Sequence, residues 1–307
     1  MELDRGVARR SYSRRDLLEL AAKSGLVLGG AALMGGAFEL QAAAQDSTPE
    51  SAFPPAELPV IDIAIGADGT VTVPAESAAG TTTVRVTAAE GVGYVSTVML
   101  IKPDDISMEE FEAALIAPDI PDWLATTHVT GSIDYSPADE GNEKVMVTDL
   151  VAGTWYVVSF GETPVYTTIE VSGDPVIVEL DYAVDVVMEH HDFTLPSEVP
   201  SGPQVWRVTN ADAVLHHMVI FQTNRLLSDE EVLSAMMAAE SGATPMAGEE
   251  EVMIMPAGGI GILSQGEILY QEMNLAPGTY SGLCFLTDPG MSEPHVVLGM
   301  IESFTAV

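Results

Sequence analysis

The sequence predicts an all-β fold, two tandem antiparallel sandwiches with Greek-key connections, each carrying one short inserted helix. The first observation behind this is an internal repeat. Residues 71–87, VTVPAESAAGTTTVRVT, align without gaps to residues 193–209, FTLPSEVPSGPQVWRVT, so that Pro74, Gly80 and Arg85 fall on Pro196, Gly202 and Arg207. Residues 106–115 answer 227–236, and AGTWYVVSF at 152–160 answers PGTYSGLCF at 277–285. Self-similarity of this kind marks a duplicated structural unit. The second observation is period-two alternation in short apolar runs, which marks half-buried strands. The third is the recurrence of Pro and Gly turn signals between those runs, the pattern of a sandwich.

In order, residues 1–44 read as an export signal, 45–58 as a flexible linker rich in Pro, Ala, Ser and acid, 59–180 as the first unit and 181–307 as the second. Ser13-Arg14-Arg15-Asp16-Leu17-Leu18 precedes a weakly apolar run over 24–38 that ends in Ala42-Ala43-Ala44, a twin-arginine signal with a small-residue cleavage site. The run falls short of the roughly 20 apolar residues of a membrane span. In each unit a first strand (Ile61, Ile63, Ile65; Val184, Val186, Met188) leads through a turn to a second around Val84 or Val205. A third follows at 98–101 or 218–221. Ser107 with Glu110, and Ser228 with Glu231, stand at capping-box spacing and open a helix. Later strands are expected at 144–149 and 268–274, then in the Gly-Thr-aromatic segment, then at 166–171 or 296–305. Gly258-Gly259-Ile260-Gly261 reads as a flexible loop before a strand; it lacks the lysine of a phosphate cradle.

The formal net charge is −35, and six of the eleven basic residues precede Gln45, leaving Arg85, Lys102, Lys144, Arg207 and Arg225. So acidic a chain excludes nucleic acid and anionic membranes as partners. Because the carboxylates are spread along the whole chain, including Glu249-Glu250-Glu251, they read as a solvated surface suited to high salt rather than as one docking patch.

Cys284 is the only cysteine, so the chain forms no internal disulfide. It ends the alternating run Tyr280, Gly282, Cys284 after a Pro-Gly turn, and His295 and Met300 follow it. A thiolate, an imidazole and a thioether, with a second imidazole from His216 or His217, form a donor set that suits copper in both oxidation states. A buried, inert thiol is the alternative. His216 and His217 adjoin on a strand, so only one faces a given side. His190 and His191 fall on a turn and read as a solvated pair in reserve, and His128 receives no role.

These residues resemble the cupredoxin superfamily, the plastocyanin and azurin kind of blue-copper domain. The features that carry the resemblance are Pro200-Ser201-Gly202, the strand reaching Asn210, His216, Pro277-Gly278-Thr279-Tyr280, Cys284, His295 and Met300. The resemblance implies His216, Cys284 and His295 as strong ligands of one copper and Met300 as a weak axial one. Ten residues separate Cys284 from His295, where that family has a few, so His217, Asp288, Met291 or Glu293 are reserve ligands. In the first unit Ser159 stands for Cys284, Val165 for His295, and Tyr94 or Val95 for His216, which makes that unit redox-silent.

The function these readings imply is that of an exported mononuclear copper protein passing single electrons between partner proteins outside the cytoplasmic membrane. Two alternatives accompany it: a metal-free envelope module, in which His295 swings into solvent, and a copper storage protein using the methionines Met236, Met237, Met246, Met253, Met255, Met273 and Met291. No hydrolytic or protease constellation is present, and the six histidines are too few for the further His clusters of a multicopper oxidase or a nitrite reductase, so the chain is expected not to be an enzyme.

Overall fold

The computed structural model describes residues 58–92, 95–117, 121–135, 142–160, 163–241, 252–291 and 293–307. The signal, the linker up to residue 57, Tyr94, Met246 and residues 249–251 lie outside the described residues.

The first half runs β1 (Val60–Ile65), β2 (Val71–Thr72), β3 (Glu76–Ala88), β4 (Val95–Ile101), α1 (Met108–Leu115), a 3-10 turn (Asp122–Thr126), β5 (Val129–Tyr135), β6 (Lys144–Leu150), β7 (Gly153–Phe160) and β8 (Val165–Val176). The second runs β9 (Val184–Glu189), β10 (Asp192–Thr194), β11 (Glu198–Val199), β12 (Gly202–Asn210), β13 (His216–Thr223), α2 (Asp229–Ser241), β14 (Ile254–Leu263), β15 (Ile268–Leu275), β16 (Gly278–Leu283), α3 (His295–Leu298) and β17 (Ile301–Ala306). The fold is all-β and sandwich-like, as the sequence predicts. Alternation does what it should: Ile61, Ile63 and Ile65 are buried while Val60, Asp62 and Ala64 face out.

The two longer helices, α1 and α2, begin where the capping residues place them. Ser107 Oγ accepts from Glu110 N–H, and Glu110 returns its carboxylate to Ser107 N–H at 2.9 Å. Ser228 and Glu231 repeat the arrangement, with the returning bond also at 2.9 Å.

Twelve strands form one sheet in the path β10-β9-β12-β15-β6-β3-β8-β7-β4-β5, with β1 pairing β2 and β3; β11-β17-β16-β13-β14 form a second sheet. In the first half β3 joins both layers, pairing β6 through Gly80–Val86 and β8 through Glu76–Gly80. Gly80, at φ +114, is the corner, where a Cβ would collide with the backbone of Val176. In the second half, Pro200 and Ser201 break the same stretch in two: β11 pairs β17 in one sheet while β12 pairs β9 and β15 in the other.

The halves meet edge to edge, since Leu269, Tyr270 and Gln271 of β15 pair with Thr148, Val147 and Met146 of β6. Ser264 N–H donates to Val129 C=O at 2.9 Å, and Ser264 Oγ accepts from Val129 N–H at 3.0 Å. His128 Nδ1 lies 2.6 Å from Glu267 Oε1. His128, given no role by the sequence, therefore ties one half to the other. One connected set of buried apolar side chains includes Phe111 and Trp155 of the first half and Trp206 and Phe304 of the second.

Two readings are corrected. Residues 258–261 lie inside β14 and not in a loop; Gly259 is required there because a Cβ would stand 2.9 Å from Met218 O across the pairing. The final strand does not begin at Val296. Residues 295–298 form α3, and Gly299, at φ +108, ends it before β17. β5 and the 3-10 turn were not read in the sequence.

Candidate metal centre

Strand register brings the site together. In β13 and β16, Val219 pairs with Leu283, as Val98 of β4 pairs with Val158 of β7. Counting from these pairs places His216 on Val95 and Cys284 on Ser159, so the first half carries aliphatic and hydroxyl side chains where the second carries metal-ligand types. Asn210 is buried at the end of β12; its amide donates to Val214 C=O at 2.7 Å and Leu263 C=O at 2.8 Å, and its Oδ1 accepts from Asp212 N–H at 2.9 Å. That clasp fixes the turn from which His216 starts.

The ten residues between Cys284 and His295 do not form an open loop. Thr287 and Pro294 form an isolated antiparallel bridge, and His295 N–H donates to Leu286 C=O at 2.8 Å. Val296 N–H reaches Cys284 C=O at 2.7 Å, which seats α3 directly on the cysteine. Cys284 N–H in turn donates to Met300 C=O at 3.3 Å, so Met300 is buried beside it. The interval is long in sequence and short in space.

Three donor atoms converge. Cys284 Sγ lies 3.3 Å from His295 Nδ1 and 3.9 Å from His216 Nδ1, and the two nitrogens are 3.1 Å apart. All three residues are 0% exposed. Behind each ring stands a carboxylate: His216 Nε2 lies 3.3 Å from Asp212 Oδ2, and His295 Nε2 lies 3.0 Å from Asp288 Oδ1. A carboxylate accepting the Nε2–H holds the proton there and leaves the Nδ1 lone pair facing the sulfur. Asp212 and Asp288 are thus the ring orienters that the sequence did not name. Their signals were faint: Asp212 lies four residues before His216, and Asp288 was weighed only as a substitute ligand.

The electrostatics describe a neutral pocket. Burial pushes the Cys284 thiol up to about 12. Burial lowers His216 against the pull of Asp212, and burial with the facing His216 lowers His295 to about 4. Near neutral pH the pocket holds a thiol and two uncharged imidazoles, and both nitrogen lone pairs are open to a cation. Copper fits this donor set. Thiolate and imidazole bonds of about 2.0–2.3 Å to a common ion place the donors about 3.3–3.8 Å apart, against 3.1, 3.3 and 3.9 Å here.

Of the reserve residues, His217 points away from the sulfur. Burial holds it neutral, down to about 3, and its Nε2 accepts from Phe285 N–H at 2.9 Å. Met291 is exposed, and so are Met253 and Met255, while Met273 is buried in the core. The solvated reading of the His190-His191 pair holds for His190 alone. The His191 ring lies 4.5 Å from that of His295, and its Nε2 is 3.2 Å from Asp288 Oδ2.

No family model matches the chain, and no curated protein does. Among solved structures, the chain is similar to a reduced auracyanin from the photosynthetic bacterium Roseiflexus castenholzii, at 19% identity, covering 40% of this chain and 94% of that one, with a TM-score of 0.26. It is similar to a multicopper oxidase, at 12% identity over 81% of this chain and 88% of that one (TM-score 0.22). A copper nitrite reductase from Nitrosomonas europaea matches at 10% identity over 81% and 93% (TM-score 0.22). The expectation that the chain is not an enzyme, drawn from the absence of catalytic constellations and from the small number of histidines, is thereby corrected, since the chains that match 81% of it are redox enzymes by name.

Proposed function

We propose that the chain binds one copper ion at His216, Cys284 and His295 and uses it for one-electron transfer, after export along the twin-arginine route. The observation that carries this reading is the convergence of one sulfur and two Nδ1 atoms within 3.9 Å of one another in a fully buried pocket. When bound, copper supplies a couple between two oxidation states that these ligands stabilise alike. The chain does the rest. Asp212 and Asp288 hold the two rings in the tautomer that presents Nδ1. Burial keeps water from the donors, and the backbone bonds among Cys284, His295, Val296 and Met300 fix the ligand loop so that little moves when charge changes. Met300 is the weak fourth donor in this proposal. The acidic surface keeps nucleic acid and anionic membranes away and draws cationic partners only where salt does not screen its field.

The test is a visible absorption and paramagnetic-resonance spectrum of the chain from Gln45 after one equivalent of copper(II). An intense thiolate-to-copper charge-transfer band that disappears in Cys284→Ser is expected. A colourless protein with the signal of aqueous copper overturns the reading and leaves Cys284 as a packing residue.

A further inference from the structure

His295 faces two ways. Its Nδ1 looks inward at Cys284, while its Nε2 meets Asp288 Oδ1 at 3.0 Å; the other oxygen of that carboxylate lies 3.2 Å from His191 Nε2. The ligand-type atoms of His191, Asp288 and His295 all lie within 4.8 Å of one another. Unlike the inner set, this one meets solvent, with the side chains of His191 and Asp288 exposed by 28% and 19%.

The backbone supplies an independent observation. His190 and His191 join β9 to β10 and both have φ 55, and they are the non-glycine residues with positive φ among those described. A two-residue hairpin turn of this hand favours Gly and Asn, and the corresponding turn of the first half uses Gly69, at φ +80. The second half keeps a side chain at a conformational cost, and that side chain is the one aimed at Asp288 and His295. Backbone strain held in place by its surroundings is characteristic of ligand sites.

We propose that His191, Asp288 and the Nε2 edge of His295 form a second, solvent-facing site for a divalent cation such as Zn²⁺ or Cu²⁺. Two imidazoles and one carboxylate are a common donor set for such ions. The cation replaces the proton shared between Asp288 and the His295 ring. With the inner set empty, the displaced proton moves to His295 Nδ1; with the inner set filled, it leaves to solvent and the ring lies between two ions as imidazolate. The proposal rests on the copper reading only in treating the inner set as separate.

Zinc titration by calorimetry tests it, run on Cys284→Ser so that uptake does not depend on the thiolate. That variant is expected to take up one Zn²⁺, and adding His191→Gln to weaken it at least about tenfold. His191→Gly separates a ligand from a turn residue. It relieves the strained φ, so the melting temperature is expected to hold or rise while zinc affinity falls at least about tenfold. Zinc uptake unchanged in stoichiometry and affinity by both His191 substitutions overturns the site. A missing charge-transfer band in wild type overturns the copper reading alone.

Discussion

At Cys284 two effects act together on one atom. The sulfur is fully buried, and desolvation pushes its pKa up to about 12, so the folded metal-free chain holds a thiol and almost no thiolate. Since thiolate is the reactive species, Cys284 in the folded apo chain is expected to react with a disulfide reagent at pH 8 at least about a hundredfold more slowly than in urea-unfolded chain. Equal rates would place the sulfur in solvent and remove the basis for a closed site. Residue types and their order singled out in advance the three side chains whose donor atoms the structure brings together, one Cys and one His on each flanking segment. What remained hidden were groups set by turns. Asp212, Asp288 and His191 reach the rings only through the clasp at Asn210, the Thr287–Pro294 bridge and a hairpin with positive φ at both central residues, none of which has a hydrophobic period to betray it.

Strands and helices were legible where local chemistry alone decides them. Ser107 and Glu110 cap α1, and alternation buries one face of β1, because capping and pleating are short-range rules. β14 escaped because its glycines read as loop, although close approach to β13 requires one of them; α3 escaped because a four-residue helix has no period to detect. The corner of β3 belongs to this scale as well. Gly80 aligned with Gly202 in the repeat, but the sequence did not say that one strand would pass through it into both layers. Gly80→Ala is expected to destabilise the chain by about 2–4 kcal/mol, combining an L residue forced to positive φ with a clash on Val176, read as a lower urea midpoint. A shift of less than about 0.5 kcal/mol would mean that the corner relaxes freely. Gly69→Ala, at a position with open space around it, loses only the φ component and serves as the control.

Across the whole molecule the sequence spoke of two units, and the structure joins them through one sheet. Nothing in the repeat announces this, because β6 and β15 occupy corresponding places in the two halves and the pairing between them has no internal precedent. Beside that pairing lies the contact of His128 with Glu267, which raises the His128 pKa through the hydrogen bond to the carboxylate, against partial desolvation. The sign follows from linkage. A histidine whose folded pKa exceeds its unfolded value, near 6.5, contributes fully below that value and loses the contribution as pH rises through the folded pKa. His128 is nearly half exposed, so solvent screening keeps the contribution under about 1 kcal/mol. Wild type is therefore expected to exceed His128→Gln in urea midpoint at pH 5.5 and to lose most of that margin by pH 9. High salt should shrink the margin at pH 5.5, since the partly exposed pair is screened. A margin that is flat between these pH values would show that the His128–Glu267 pair adds no charge-dependent stability to the joining of the two halves.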